Sequence, residues 1–187
     1  MRLFVAIAMT GDVAEALAAL LGAWTDREWP VRWVRPEGLH LTLKFLGEVG
    51  EGQFPALVDA VGQAVQGTPP LTCTLTEVGA FPTIPRARIL WAGLESDAAL
   101  ELLVHRLEQG LAPLGFPVEG RAYRPHVTLG RVREERGLSS AAVEAIERAE
   151  LAPVSCLATE VYLYQSHGGP GGSRYEVRAT FPLAVSA

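Results

Sequence analysis

Apolar and polar positions along the chain fall into short alternating runs separated by stretches of helical spacing. Residues 2–9 (RLFVAIAM) form a branched apolar run that predicts a buried strand. From Asp12, taken as an N-cap, Val13, Ala16, Leu17, Leu20, Leu21 and Trp24 recur at helical spacing to about Trp29. Pro30 ends that helix. Residues 31–35 and 40–46 alternate and predict a hairpin-like pair, followed by a helix over 51–66 and a strand over 71–80. The order then begins again, with a strand at 86–94, a helix at 96–112, a strand at 125–132 and a helix at 139–150. Strands at 157–165 and 174–182 complete the chain, separated by a Gly-rich loop over 167–172.

The two halves overlay by one shift. Arg2, His40 and Thr72 recur at Arg88, His126 and Ala158, each time 86 residues on. Three elements sharing one offset imply an internal duplication. The chain is therefore expected to be a single domain over 1–187, with pseudo-repeats of about 1–85 and 86–187. Each repeat runs strand–helix–strand–helix–strand. This mixture predicts an α+β, bilobal fold whose largely antiparallel sheets face a central cleft.

The matched strands carry His40-Leu41-Thr42-Leu43 and His126-Val127-Thr128-Leu129. Alternate residues of a strand share a face, so each His and its Thr point one way while the apolar residues between them point to the core. If the lobes meet about a pseudo-twofold axis, two imidazoles and two hydroxyls line one cleft. One neutral and one protonated imidazole can take a proton from an attacking water and give one to a leaving oxygen. Threonine hydroxyls can hold phosphoryl oxygens as charge builds there. Such a site suits in-line displacement at phosphorus without a metal. No Asp, Glu or Cys accompanies either His at ligand spacing, so neither a metal nor a cofactor is expected. A Gly-x-Ser-x-Gly elbow is absent, and GGPGG lacks the Lys-Ser/Thr ending of a phosphate-binding P-loop.

Composition narrows the reading. With 49% hydrophobic residues the chain can build a full core, and its net charge of −5 argues against broad binding along a nucleic acid. A small site for one phosphate remains open. No apolar run reaches the length of a membrane span, so no membrane is expected as a partner. Cys73 and Cys156 lie far apart without metal or redox spacing, which fits a reducing cytoplasm. Of 16 basic residues only Lys44 is a lysine, and it stands in LKFLG rather than in the Lys-x-Asp-Gly setting of nucleotidyl-lysine ligases.

HLTLKFLG and PHVTLGRV, with the later LYQS segment and a Gly-rich turn before RYEV, resemble the 2H phosphoesterase superfamily. Within it the chain is most similar to the RNA 2′,3′-cyclic phosphodiesterases, also called 2′-5′ RNA ligases. The resemblance spans essentially the whole chain. It implies opening of an RNA 2′,3′-cyclic phosphate end to a 2′-phosphomonoester, with His40 as proton donor, His126 as proton acceptor, and Thr42 and Thr128 on the phosphoryl oxygens. The partners it implies are RNA ends or small cyclic-phosphate nucleotides, with no obligate protein partner. Ligation of such ends through a 2′-5′ linkage, or end binding without catalysis, stand as alternatives.

The resemblance also assigns Arg131 to the phosphate. Strict alternation sets Arg131 on the back face, and Gly130 is the residue expected to permit a bulge that re-aims it. Leu46 is taken as its counterpart in the first half, with Lys44 on the front face as a second cation. Phe45, Trp33, Tyr123 and Tyr164 are candidates to stack on a base, although alternation turns Phe45 backward into the core. Arg121, Arg124, Arg131, Arg133 and Arg136 cluster around the second motif. His105, with Glu101 and Glu108, is expected on a solvated helix face.

Overall fold

A computed structural model describes residues 1–133, 137–169 and 172–184. Among these residues, nine strands and four α-helices begin with β1 (Arg2–Ala8), α1 (Gly11–Thr25), β2 (Val31–Trp33), β3 (His40–Glu48), α2 (Phe54–Val65) and β4 (Leu71–Phe81). They continue as β5 (Ile89–Leu94), α3 (Ala98–Leu111), β6 (His126–Val132), α4 (Ser140–Glu147), β7 (Ser155–Ala158), β8 (Glu160–His167) and β9 (Arg174–Pro182). No helix among the described residues is long and apolar enough to cross a membrane.

The strands lie in the order β7-β4-β5-β6-β3-β1-β8-β9, with β2 added alongside β6, and every pairing is antiparallel. The α+β, two-lobed architecture is thus as expected. Its two lobes are not contiguous stretches of chain, however. The third strand of the first half, β4, pairs with β5 of the second, and β8 of the second pairs with β1 of the first. Each half lends a strand to the other, and β3 and β6 meet in the middle.

Burial explains the elements. Leu3, Val5, Leu41, Leu43, Val127 and Leu129 are each at most 3% exposed, so the apolar residues of the three central strands anchor the core. Leu57 and Val61 of α2 and Leu103 and Leu107 of α3 are wholly buried as well. At ~1.5–3 kcal/mol for each large apolar side chain, this core dominates the favourable side of folding. Asp97 caps α3 by accepting from the Leu100 N–H at 2.7 Å, and Ser139 caps α4 by accepting from the Ala142 N–H at 3.2 Å.

Several boundaries differ from the sequence pattern. Asp12 lies in the first turn of α1 rather than at its cap, which is Thr10, and the helix ends at Thr25. Residues 31–35 do not form a hairpin with 40–46: β2 crosses to β6, with Trp33 opposite Gly130. Gly130 makes that approach possible, since a Cβ there would lie 2.5 Å from the Val31 Cγ1. The expected strand 157–165 is two strands, β7 against β4 and β8 against β1, because the chain changes partner at Thr159. That switch places Cys73 directly opposite Cys156, both buried free thiols. His167 is the last residue of β8 and pairs with Glu176 at 2.9 Å, not a member of the loop.

Candidate active site

The central strands share one irregularity. In β3, Val5 faces Lys44 and Ala6 faces Thr42, which leaves Leu43 as an extra residue. In β6, Trp91 faces Thr128 and Leu90 faces Gly130, which leaves Leu129 extra. A bulge of this kind reverses the alternation beyond it. The two bulges fall 86 residues apart, at the same point of the motif.

Their consequences revise the assignment of side chains. Beyond the second bulge Arg131 is exposed, on the same face as His126 and Thr128. Beyond the first, Phe45 turns outward and is 69% exposed, while Lys44 turns into the core. Phe45, and not Leu46, is therefore the counterpart of Arg131, and Phe45 is not a core residue. Lys44 does not lie on the front face. Its ammonium is buried against the Glu108 carboxylate and also donates to the Pro117 carbonyl at 2.6 Å. The same Glu108 oxygen accepts from the Glu119 N–H at 3.0 Å, so Glu108 is no solvated residue but ties β3, α3 and the segment before β6 together. His105 and Glu101 are exposed, as expected.

Leu41 and Val127 stand opposite each other where β3 meets β6. Antiparallel continuation from that pair sets His40 beside Thr128 and Thr42 beside His126. The Nδ1 of each histidine lies 2.7 Å from a carbonyl two residues back, Gly38 for His40 and Arg124 for His126. A carbonyl only accepts, so each Nδ1 carries the hydrogen and each Nε2 is left for chemistry. The same tautomer is thus imposed on both rings by backbone alone.

The surroundings of the two rings differ. His40 packs on Phe4 with ring centroids 4.8 Å apart and meets the edge of Tyr175 at 5.0 Å, with Tyr164 at 6.3 Å. Burial among these rings lowers the His40 pKa, the Gly38 carbonyl opposes that shift, and the nearby His126 adds to it. His126 meets the edge of Phe81 at 5.1 Å, with Trp91 at 6.4 Å.

Of the stacking candidates, Tyr164 belongs to the ring cluster around His40, and burial raises its hydroxyl pKa. Tyr123 packs against the core and donates its hydroxyl to the Thr42 carbonyl at 2.9 Å, so it braces β3 rather than offering a face to a base. Trp33 belongs to a cluster with Trp24 and Trp29. Arg121, Arg124 and Arg133 are exposed beside the second motif, and Arg136 lies outside the described residues. The structure adds exposed Arg32, register partner of Arg131, which no sequence pattern marks. It also adds Phe4, Phe81, Trp91 and Tyr175. Phe4 and Trp91 sit in apolar runs that read simply as buried strand, and only the fold brings them to the histidines.

A profile for the 2′-5′ RNA ligase superfamily matches residues 11–170. The chain belongs to that superfamily. Among its relatives, an RNA 2′,3′-cyclic phosphodiesterase of Methanothermobacter thermautotrophicus is 30% identical over 97% of this chain and 98% of its own length. One of the same name from Thermotoga maritima is 29% identical over 95% and 92% of the two chains. A solved structure from Thermus thermophilus superimposes over the whole of both chains with a TM-score of 0.84 at 26% identity. Escherichia coli LigT complexed with 3′-AMP superimposes over 97% of each with a TM-score of 0.73 at 28% identity. The superfamily assignment thus rests on sequence and fold together, and both cover the strands that carry the two His-x-Thr motifs.

Proposed function

We propose that this protein opens 2′,3′-cyclic phosphates at RNA ends to 2′-phosphomonoesters with its two histidines and no metal. The observation that carries the reading is the β3–β6 junction, where each histidine neighbours the other motif's threonine with its Nε2 free. The names of the full-length relatives support the substrate class.

In this mechanism a water oxygen attacks phosphorus opposite the 3′ oxygen. The His126 Nε2 takes a proton from that water as the new P–O bond forms. The bond from phosphorus to the 3′ oxygen breaks, and protonated His40 delivers its Nε2 hydrogen to the departing oxygen. His40 ends neutral and His126 charged, and proton exchange with solvent resets the pair. Each positioned transfer contributes ~10²–10⁴-fold. Thr42 and Thr128 donate to the non-bridging oxygens, and Arg131 supplies the positive charge that holds the phosphate.

Burial of His40 disfavours its charged form in the free protein. A phosphodiester anion entering between the imidazoles reverses that preference, so substrate itself promotes protonation of the donor. Phe45, exposed on the strand that carries His40, offers an apolar ring to the terminal base. Lys44 and Tyr123 support the strand from behind and have no part in binding.

The superfamily description favours one second reading, the joining of a cyclic end to a 5′-hydroxyl through the same groups. The test is the fate of a cyclic-ended oligonucleotide with and without a 5′-hydroxyl partner in excess. Hydrolysis in both supports the first reading, and a joined product whenever the partner is present supports the second.

A further inference from the structure

Each histidine of the junction has one aromatic ring set edge-on against it. For His126 this is Phe81, at an interplanar angle of 84°, and for His40 it is Tyr175, at 82°. Tyr175 comes from β9, the strand farthest along the chain, and does more than touch the imidazole. Its ring also lies against Gly38, where a Cβ would stand 3.2 Å from the Tyr175 Cε2. Gly38 in turn provides the carbonyl that fixes the His40 Nδ1–H. Phe4 packs against both rings, 4.8 Å from His40 and 5.2 Å from Tyr175. His40 is thus held at three points: by Phe4, by the Gly38 carbonyl, and by a ring that bears on both His40 and Gly38.

We propose that Tyr175 is a positioning residue for His40, its ring shielding the imidazole and pressing on Gly38 so that the Nε2 stays aimed at the leaving oxygen. Ring packing carries the effect, and the phenolic hydroxyl takes no part in the contacts named. A Cβ at Gly38 would require the same ring to give by a few tenths of an ångström. The other titratable groups in electrostatic or ring contact with His40 are His126 across the junction and the Tyr164 phenol. Removing the Tyr175 ring lets water reach the imidazole, and hydration favours its charged form.

The proposal rests on the two-histidine reading, and the test separates the two. The full chain is titrated by NMR at the His40 ring hydrogens, and kcat and KM are measured on a 2′,3′-cyclic-ended oligonucleotide. Tyr175→Ala is expected to move the His40 titration to higher pH and lower kcat about tenfold, with KM changed less than about threefold. Tyr175→Phe retains the ring and should match the parent in both measurements. Tyr175→Leu keeps apolar bulk should the alanine variant fold poorly, and the same direction is expected of it. An unmoved His40 titration with unchanged kcat in these two variants overturns the proposal. A Tyr175→Phe variant as impaired as Tyr175→Ala overturns it too, since the hydroxyl and not the ring would then matter. His40→Ala is the control: if it retains full activity, the two-histidine reading has failed, whereas an inactive His40→Ala beside a normal Tyr175→Ala defeats this proposal alone.

Discussion

Leu41 of β3 and Val127 of β6 stand directly opposite each other, and that one pair determines who neighbours whom in the site. It sets the imidazole of each motif beside the threonine of the other. In the proposed mechanism each half of the chain thereby supplies half of both the proton transfer and the phosphate cradle.

Replacing either histidine is therefore expected to disable the reaction without unfolding the protein. His40→Ala and His126→Ala should each lower kcat at least about 10²-fold. Circular dichroism should be unchanged, since both rings lie at the front of strands anchored from behind. Near-parental turnover in either variant contradicts the mechanism.

The environment of His40 gives a pH prediction. Burial holds its pKa below the ordinary value in the folded chain, so the unfolded chain binds the proton more readily. His40 therefore leaves stability intact above about pH 6.5 and erodes it as pH falls through that value toward its depressed pKa. A His40→Asn variant should lose less stability than the parent between pH 7 and 5 by urea titration. Adding a 2′-nucleotide should move the His40 NMR titration upward, because the bound phosphate favours the charged ring. A titration at or above the free-histidine value without ligand contradicts the account.

The buried pair of Lys44 and Glu108 is expected to matter for stability rather than for turnover. Lys44→Ala strands a carboxylate in the core and should cost about 3 kcal/mol. The double variant Lys44→Met with Glu108→Leu should recover most of that loss. The measurement is a urea denaturation series. A stability unchanged in Lys44→Ala would show that the ammonium is not held as described.

In the proposed binding mode Phe45 separates base recognition from chemistry. Phe45→Ala should raise KM about tenfold on a cyclic nucleotide, with kcat within about twofold. A cyclic phosphate of ribose lacking the base should not distinguish the variant from the parent. Equal KM values for both proteins on the nucleotide would remove Phe45 from the site.

The repeated His-x-Thr motif, the shared offset and the order of strands and helices are legible in the sequence, except that the one strand expected at 157–165 is two. They follow from periodicity, which depends on local burial. What periodicity does not show is where it breaks. The bulge at Leu43 leaves no mark in the sequence and the one at Leu129 only the glycine that follows it, yet these bulges turn Phe45 and Arg131 to the front and Lys44 to the back. Arg131 is within reach of sequence reasoning because a glycine precedes it. At the matching place in the first half stands Lys44, and nothing there signals a bulge. The exchange of β4 and β8 between lobes, and the rings of Phe4 and Tyr175 around His40, depend on long-range pairing and have no local signature.

The most direct test of the two-histidine opening is the product itself. An oligonucleotide ending in a 2′,3′-cyclic phosphate is incubated with the pure protein and EDTA, and the phosphorus NMR spectrum is followed. The account predicts a 2′-phosphomonoester, formed at the same rate with or without EDTA and absent with His40→Ala or His126→Ala. A 3′-phosphomonoester would reverse the leaving oxygen, and activity lost to EDTA and restored by a divalent cation would contradict the metal-free mechanism.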